Sequence, residues 1–144
     1  MPDLDERFTG ALHNTSRAWR QAVDRRLKHL GLSQASWMTI AVAAKARWPL
    51  SQSELADRLA VEGATMVAMV DRLVKAGLVV REPSTTDRRI KRVVLTEAGN
   101  QLYGKVKAEA AAFSKELLAN IDSKKLLVAT ELLETLQGII ETTS

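Results

Sequence analysis

The chain contains no cysteine, which excludes disulfide staples, thiolate metal sites and thiol-based oxidation sensing within it. Histidine is scarce too. His13 and His29 are its two histidines, they lie far apart, and neither a glycine-rich phosphate loop nor a cluster of carboxylates at ligand spacing accompanies them. No metal, no cofactor and no catalysis are therefore expected. Long apolar runs are also missing, since none approaches the roughly 18 residues needed to cross a bilayer. The amino terminus, Met1-Pro2-Asp3-Leu4-Asp5-Glu6, is acidic and lacks the basic-then-apolar pattern of an export signal. These absences predict a cytoplasmic protein with no membrane partner. Without repeats, low-complexity tracts or flexible linkers, the 144 residues, 46% hydrophobic, are expected to form one domain that buries roughly two-thirds of its unfolded surface.

What is present is helical periodicity. From Leu4 to Leu30 apolar residues recur at helix spacing (Phe8, Leu12, Trp19, Val23, Leu27, Leu30) and stop at Gly31, which predicts one long helix. Ser33 can cap a second helix carrying Trp37 and Ile40, which should end before Trp48-Pro49. Ser51 with Glu54 three places on is a capping box, predicting a third helix to about Leu59. A fourth should run from about Gly63 to Ala76, with Gly77 ending it. Val79-Val80 and Val93-Val94-Leu95 are β-branched runs around a polar segment, the pattern of an antiparallel hairpin. Thr96 then caps a fifth helix and Asp122-Ser123 starts a sixth. The fold expected is mainly α: six helices with a two- to three-stranded wing.

A short capped helix, a turn, a second helix and a basic hairpin, in that order, make a helix-turn-helix (about 51–76) followed by a wing (about 78–96). That arrangement is suited to duplex DNA. Charge agrees without proving it: 21 Lys and Arg against 17 Asp and Glu give a net charge of +4 and a pI near 9.6. On the fourth helix, Met66, Met69, Val70 and Leu73 share one face, expected to be core, while Ala64, Val67, Ala68 and Asp71 share the other. The second face, with Gly63 and Thr65 near the helix start, is expected in the major groove, where small apolar side chains can touch thymine methyls. Ser51, Ser53 and the helix amino termini are candidates for phosphate contacts. The wing sets Arg81, Arg88, Arg89, Lys91 and Arg92 against Glu82 and Asp87; Arg88 and Lys91 suit phosphates. The alternatives at this point are a solvated charge run and, for the small residues of the fourth helix, a protein interface. Both ends of the chain are amphipathic helices with too little else to cover them, which predicts either a homodimer or an antiparallel pair closing within one subunit.

The winged helix with Asp87-Arg88-Arg89, the following Leu95-Thr96-Glu97-Ala98-Gly99 and the two long terminal segments resemble the MarR family of bacterial transcription regulators. Arg17-Ala18-Trp19-Arg20, Asp24-Arg25-Arg26-Leu27-Lys28, Leu32-Ser33-Gln34 with Trp37, Ser51-Gln52 and Asp87 to Arg92 are similar to the SlyA subgroup. The resemblance implies a homodimer joined through residues 1–31 and 97–144, with a DNA-binding lobe at 32–96, acting on a palindromic operator in double-stranded DNA. It implies that Arg89 at the hairpin tip enters the minor groove and that Asp87 steadies the loop. It further implies a small aromatic carboxylate or phenolic effector in a cavity bordered by His13, Arg17 and Trp37, where Arg17 would meet the ligand's carboxylate. The sequence departs from the family at Val67 and Ala68, where relatives carry polar or basic residues, so a bidentate arginine contact to guanine is not expected there. An architectural DNA binder of low specificity and a protein-interaction module remain the competing readings.

Overall fold

The computed structural model describes residues 3–143 of the chain. Helix α1 (Leu4–Leu27) opens on Asp3, whose carboxylate accepts the Glu6 amide. The expected single helix to Leu30 is corrected at its end: Lys28–Leu30 tighten into a 3-10 turn, closed by Gly31 at φ 75° with its N–H on the Lys28 carbonyl. Ser33 caps α2 (Gln34–Lys45) as expected. The structure adds a two-residue strand, β1 (Leu50–Ser51), before α3 (Gln52–Leu59). Then come α4 (Gly63–Lys75), β2 (Val79–Pro83), β3 (Lys91–Leu95), α5 (Glu97–Leu118) and α6 (Ser123–Thr143). The sheet is antiparallel in the order β1-β3-β2, with Leu50 opposite Val93 and Pro83 opposite Lys91. These are the six helices and three-stranded wing of a winged helix-turn-helix.

Local chemistry sets the boundaries. Ser51 serves twice, as the end of β1 and as the cap of α3: its hydroxyl accepts the Glu54 amide at 3.1 Å while Glu54 Oε1 accepts the Ser51 amide at 3.1 Å. That reciprocal pair satisfies two donors that a helix start leaves open. The bond from the Ser51 amide is the main reason that Glu54 titrates below the usual carboxylate range. At the other end of the motif, Gly77 sits at φ 79°. Its N–H reaches the Val74 carbonyl and the Leu78 N–H reaches Leu73, a Schellman closure that turns the chain from α4 into β2.

The residues fall into two compact units, one up to Ala110 and one from Ala111. In the first, Ile40, Leu50, Leu55, Ala56, Met66, Met69, Val70, Leu73, Val79 and Val93 form a buried cluster drawn from α2, α3, α4 and all three strands. Each large side chain in it is worth about 1.5–3 kcal/mol of burial. Because four of them belong to α4, the cluster sets the rotation of that helix. Arg26 Nε and Glu109 Oε2, 3.0 Å apart, join α1 to α5. The second unit, taken alone, has little core: α6 buries none of its residues, and Leu127, Val128, Leu132, Leu133, Ile139 and Ile140 are exposed.

The start of α5 is packed tightly. Thr96 Oγ1 donates to the Gly77 carbonyl and accepts the Gly99 amide, while the Thr96 amide bonds the Leu78 carbonyl. A Cβ at Gly99 would overlap that same Leu78 carbonyl oxygen. Gly99→Ala should therefore destabilise the protein by about 1–3 kcal/mol, read as a lower urea midpoint with unchanged slope; an unshifted midpoint would show that the helix start yields freely. A second expectation concerns pH. Since the folded state depresses the Glu54 pKa, its contribution is complete above the unfolded value near 4.5 and is lost as pH falls through the folded value. Glu54→Gln should flatten this acid-side loss in urea titrations run from pH 7 downward, and parallel profiles for the two proteins would refute the capping account.

Candidate nucleic-acid interface

The core cluster aims α4. With Met66, Met69, Val70 and Leu73 all buried, the opposite face is turned out, and Gly63, Ala64, Thr65, Val67, Ala68 and Asp71 are exposed. Val67 keeps 41% of its surface and is the largest apolar group on the first two outward turns. Ser51 lies at the cap of α3, partly covered and already bonded to Glu54; Ser53, the second residue of the helix, stands exposed. In the wing, Arg88, Arg89 and Lys91 are all exposed. All of these residues belong to one compact unit.

Arg81, grouped by charge with the wing in the sequence, has another use. Its Nε donates to Gln52 Oε1 at 2.7 Å, and its Nη2 bonds Asp71 Oδ1 and lies 3.5 Å from the Val67 carbonyl. One guanidinium thus joins β2 to the first residue of α3 and to the middle of α4. The fork geometry of arginine suits three acceptors on different elements, which a lysine ammonium would not hold in one plane. Two consequences follow for the surface: the Asp71 carboxylate is neutralised in place, and the Gln52 carbonyl oxygen is occupied.

The loop between β2 and β3 is built from its own polar groups. The buried Ser84 donates its amide to the Ile90 carbonyl at 2.8 Å, and its hydroxyl accepts the Thr86 amide. The Ile90 amide closes a turn onto the Asp87 carbonyl at 3.0 Å. Asp87 accepts three bonds from Arg89: the backbone amide, Nε at 3.1 Å and Nη2 at 3.0 Å. The side-chain bonds to Arg89 are the leading cause that holds the Asp87 carboxyl below its ordinary range. Of the five guanidinium N–H donors, this pairing uses two and leaves three, on a side chain whose exposure is 90%. Asp87 and Arg89 form an ion pair within the loop, and it orients the arginine while leaving one edge of it in solvent.

The three residues named for an effector site line none of the cavities described among these residues. His13 and Arg17 are exposed on α1, with Arg17 bonded to Asn14. Trp37 is half-buried, and its indole N–H donates to Asp24 Oδ1 at 3.2 Å, tying α2 to α1. A partly open cavity of about 160 Å³ lies elsewhere, between α2 and α4, lined by Met38, Thr39, Thr65, Met66 and Met69 among others, and by none of those three. Sequence reasoning missed Gln52 and the anchoring role of Arg81. Their only sequence signal is charge and amide composition, and the pairing depends on which strand ends up beside which helix.

A model of the MarR family matches residues 30–90, the stretch from the 3-10 turn through the wing loop. The fold is similar to that of the transcriptional regulator PA3341, with a TM-score of 0.84 and 38% identity over 94% of this chain and 98% of the other. It is similar also to a MarR-family transcriptional regulator from Rhodococcus sp. RHA1, with a TM-score of 0.79 and 25% identity over 96% of this chain and 97% of that one. CouR from Rhodococcus jostii RHA1, in a structure bound to p-coumaroyl-CoA, gives 0.79 and 27% over 96% and 95% of the two chains. Likeness of this degree, end to end in both chains and with the family's own pattern on the helix-turn-helix, makes the protein a member of the MarR family.

Proposed function

We propose that this chain is a sequence-specific double-stranded DNA-binding transcription regulator of the SlyA type, working in the cytoplasm as a homodimer on a palindromic site. The observation that carries the reading is the pairing, on one lobe, of an outward-turned α4 with a wing whose Arg89 is held by Asp87 and still almost fully exposed. Helix α4 supplies the groove contacts through Gly63, Ala64, Thr65, Val67 and Ala68. Ser51, Ser53, Arg88 and Lys91 supply phosphate contacts, and Arg89 enters the minor groove, where narrow A·T segments attract arginine. The dimer rests on the terminal helices. Leu4, Phe8 and Leu12 on α1 and the apolar residues of α6 are exposed, the kind of apolar surface that marks an interaction site. A twofold axis would set two α4 helices about 34–36 Å apart, one turn of DNA.

Among the described residues no cluster of His, Cys, Asp or Glu could hold a metal ion, and no helix is long and apolar enough to cross a membrane. A small aromatic carboxylate or phenolic effector is part of the proposal; the phenolic acyl group of the ligand carried by CouR supports the phenolic class, and His13, Arg17 and Trp37, which line none of the cavities described in the single subunit, are proposed to border its site. Trp37 would keep its bond to Asp24 and offer the ring face.

Selection from a random duplex pool, followed by competition against unselected duplex, tests the reading. A regulator should prefer its selected site by more than about a thousandfold. A flat competition curve would favour an architectural role, and no binding at low salt would favour a protein-interaction module. On the selected duplex, Arg89→Ala should weaken binding and reduce the slope of log affinity against log salt by about one. Retained affinity with an unchanged slope would remove Arg89 from the interface.

A further inference from the structure

We infer that the outward face of α4 recognises thymine through its C5-methyl group and not through hydrogen bonds, with Val67 as the specificity-determining contact. The inference rests on the DNA-binding reading above and names what that surface selects. Its starting point is what the face offers. Along the first two turns, Gly63 to Met69, one side chain can hydrogen-bond, Thr65. At about 100° per residue, the buried set Met66, Met69, Val70 and Leu73 lies opposite Ala64, Ala68 and Asp71, with Val67 on one shoulder. Thr65 falls to the other side, where it lines the cavity against α2 along with Met38 and Met66. The centre of the face is therefore apolar and low in relief.

Among the polar groups on or beside that face Asp71 and Gln52 are already engaged, while Arg72 and Lys75 stand exposed on the later turns of α4. The Asp71 carboxylate, which might accept from a cytosine or adenine amine, is bound by Arg81, and Gln52 gives its carbonyl oxygen to the same guanidinium. Gly63, Ala64 and Ala68 carry little or no side chain, so the helix can approach the base edges closely. Val67 then projects its two methyl groups, and 41% of its surface is free to be covered.

In the major groove, the one apolar feature on any base edge is the thymine methyl. Guanine O6 and N7, or the cytosine amine, set against Val67 would lose their water with nothing in exchange, which disfavours them. The thymine methyl gains from the same loss of water, by about fourfold in affinity for one methyl fully covered. Discrimination at such a position follows the methyl, so 5-methylcytosine should bind better there than unmethylated cytosine, whose hydrogen-bonding edge is the same.

The test uses the full chain and the duplex enriched by selection. Each thymine is replaced in turn by deoxyuridine, which removes the methyl and keeps every hydrogen-bonding group. Each is also replaced, opposite guanine, by 5-methylcytosine and by cytosine, a pair that differs only in the methyl. At the contacted position deoxyuridine should weaken binding about fourfold relative to thymine, and cytosine about fourfold relative to 5-methylcytosine. In Val67→Ala, thymine and deoxyuridine duplexes should bind alike at that position; Val67 is on the surface, so this variant keeps its core. Equal affinity for thymine and deoxyuridine at every position overturns the inference, as does a deoxyuridine loss that persists undiminished in Val67→Ala. Specific binding insensitive to the methyl would sink this inference alone, whereas failure of selection to enrich any duplex would sink the DNA-binding reading with it.

Discussion

The geometry of the winged lobe depends on one guanidinium. Arg81 is placed on β2 by the Schellman turn at Gly77, and from there it reaches Gln52 at the start of α3 and Asp71 in the middle of α4. The apolar cluster sets the rotation of α4 and the Ser51–Glu54 pair joins β1 to α3; the Arg81 tie adds a polar link from β2 to both helices. Hydrogen bonds from a rigid fork have direction, so they convert a packed lobe into one with a definite angle between wing and helix. The arrangement also reassigns charge. A cation is withdrawn from the basic wing, and an anion is cancelled on the face turned to solvent, with no change in the net charge of the lobe.

A second arginine–aspartate pair, Arg89 with Asp87, uses the same chemistry for a different end. Arg81 is about one-quarter exposed in its side chain and spends its donors on protein; Arg89 is 90% exposed and spends two of five. On the proposed interface this separates two tasks. The wing and the helix-start serines contribute affinity through phosphates, a term that every sequence shares and that salt weakens. Sequence discrimination is left to α4 and to the width of the minor groove at Arg89. An apolar reading face is then workable, because it need not supply the bulk of the binding energy.

Much of this was legible in the amino acids. The capping box at Ser51 and Glu54, the stops at Gly31 and Gly77, and the division of α4 into a buried and an outward face follow from local rules, and the structure agrees on each. Strand β1 was not legible, since two residues become a strand only because β3 lies alongside them. The shortening of α1 at Leu27 turns on a 3-10 closure that periodicity does not distinguish from a continued helix. Arg81 shows the limit most clearly: in sequence it is one of five wing cations, and only the β2 to α4 neighbourhood singles it out. The same holds for Trp37, whose indole bond to Asp24 requires knowing that α2 crosses α1 at that level. Gly99, visible as one letter of a family pattern, acquires its reason only from the Leu78 carbonyl above it.

The terminal helices raise a different physical question, because α6 buries none of its 21 residues although eight of them are Leu, Ile or Val. A helix of this kind gains most of its stability from a partner surface, since propensity alone leaves even long helices marginal in water. On the proposed dimer, a second copy would supply that surface, and folding of the ends would be linked to association and therefore to concentration. The distance between the two α4 helices would be set by the same packing. An effector lodged near α1 and α2 could then act on DNA binding without touching α4, but only by its difference in affinity between the spacing that fits one turn of DNA and the spacing that does not. Tight binding by itself would accomplish nothing: a ligand equally content with both spacings would leave the operator occupied.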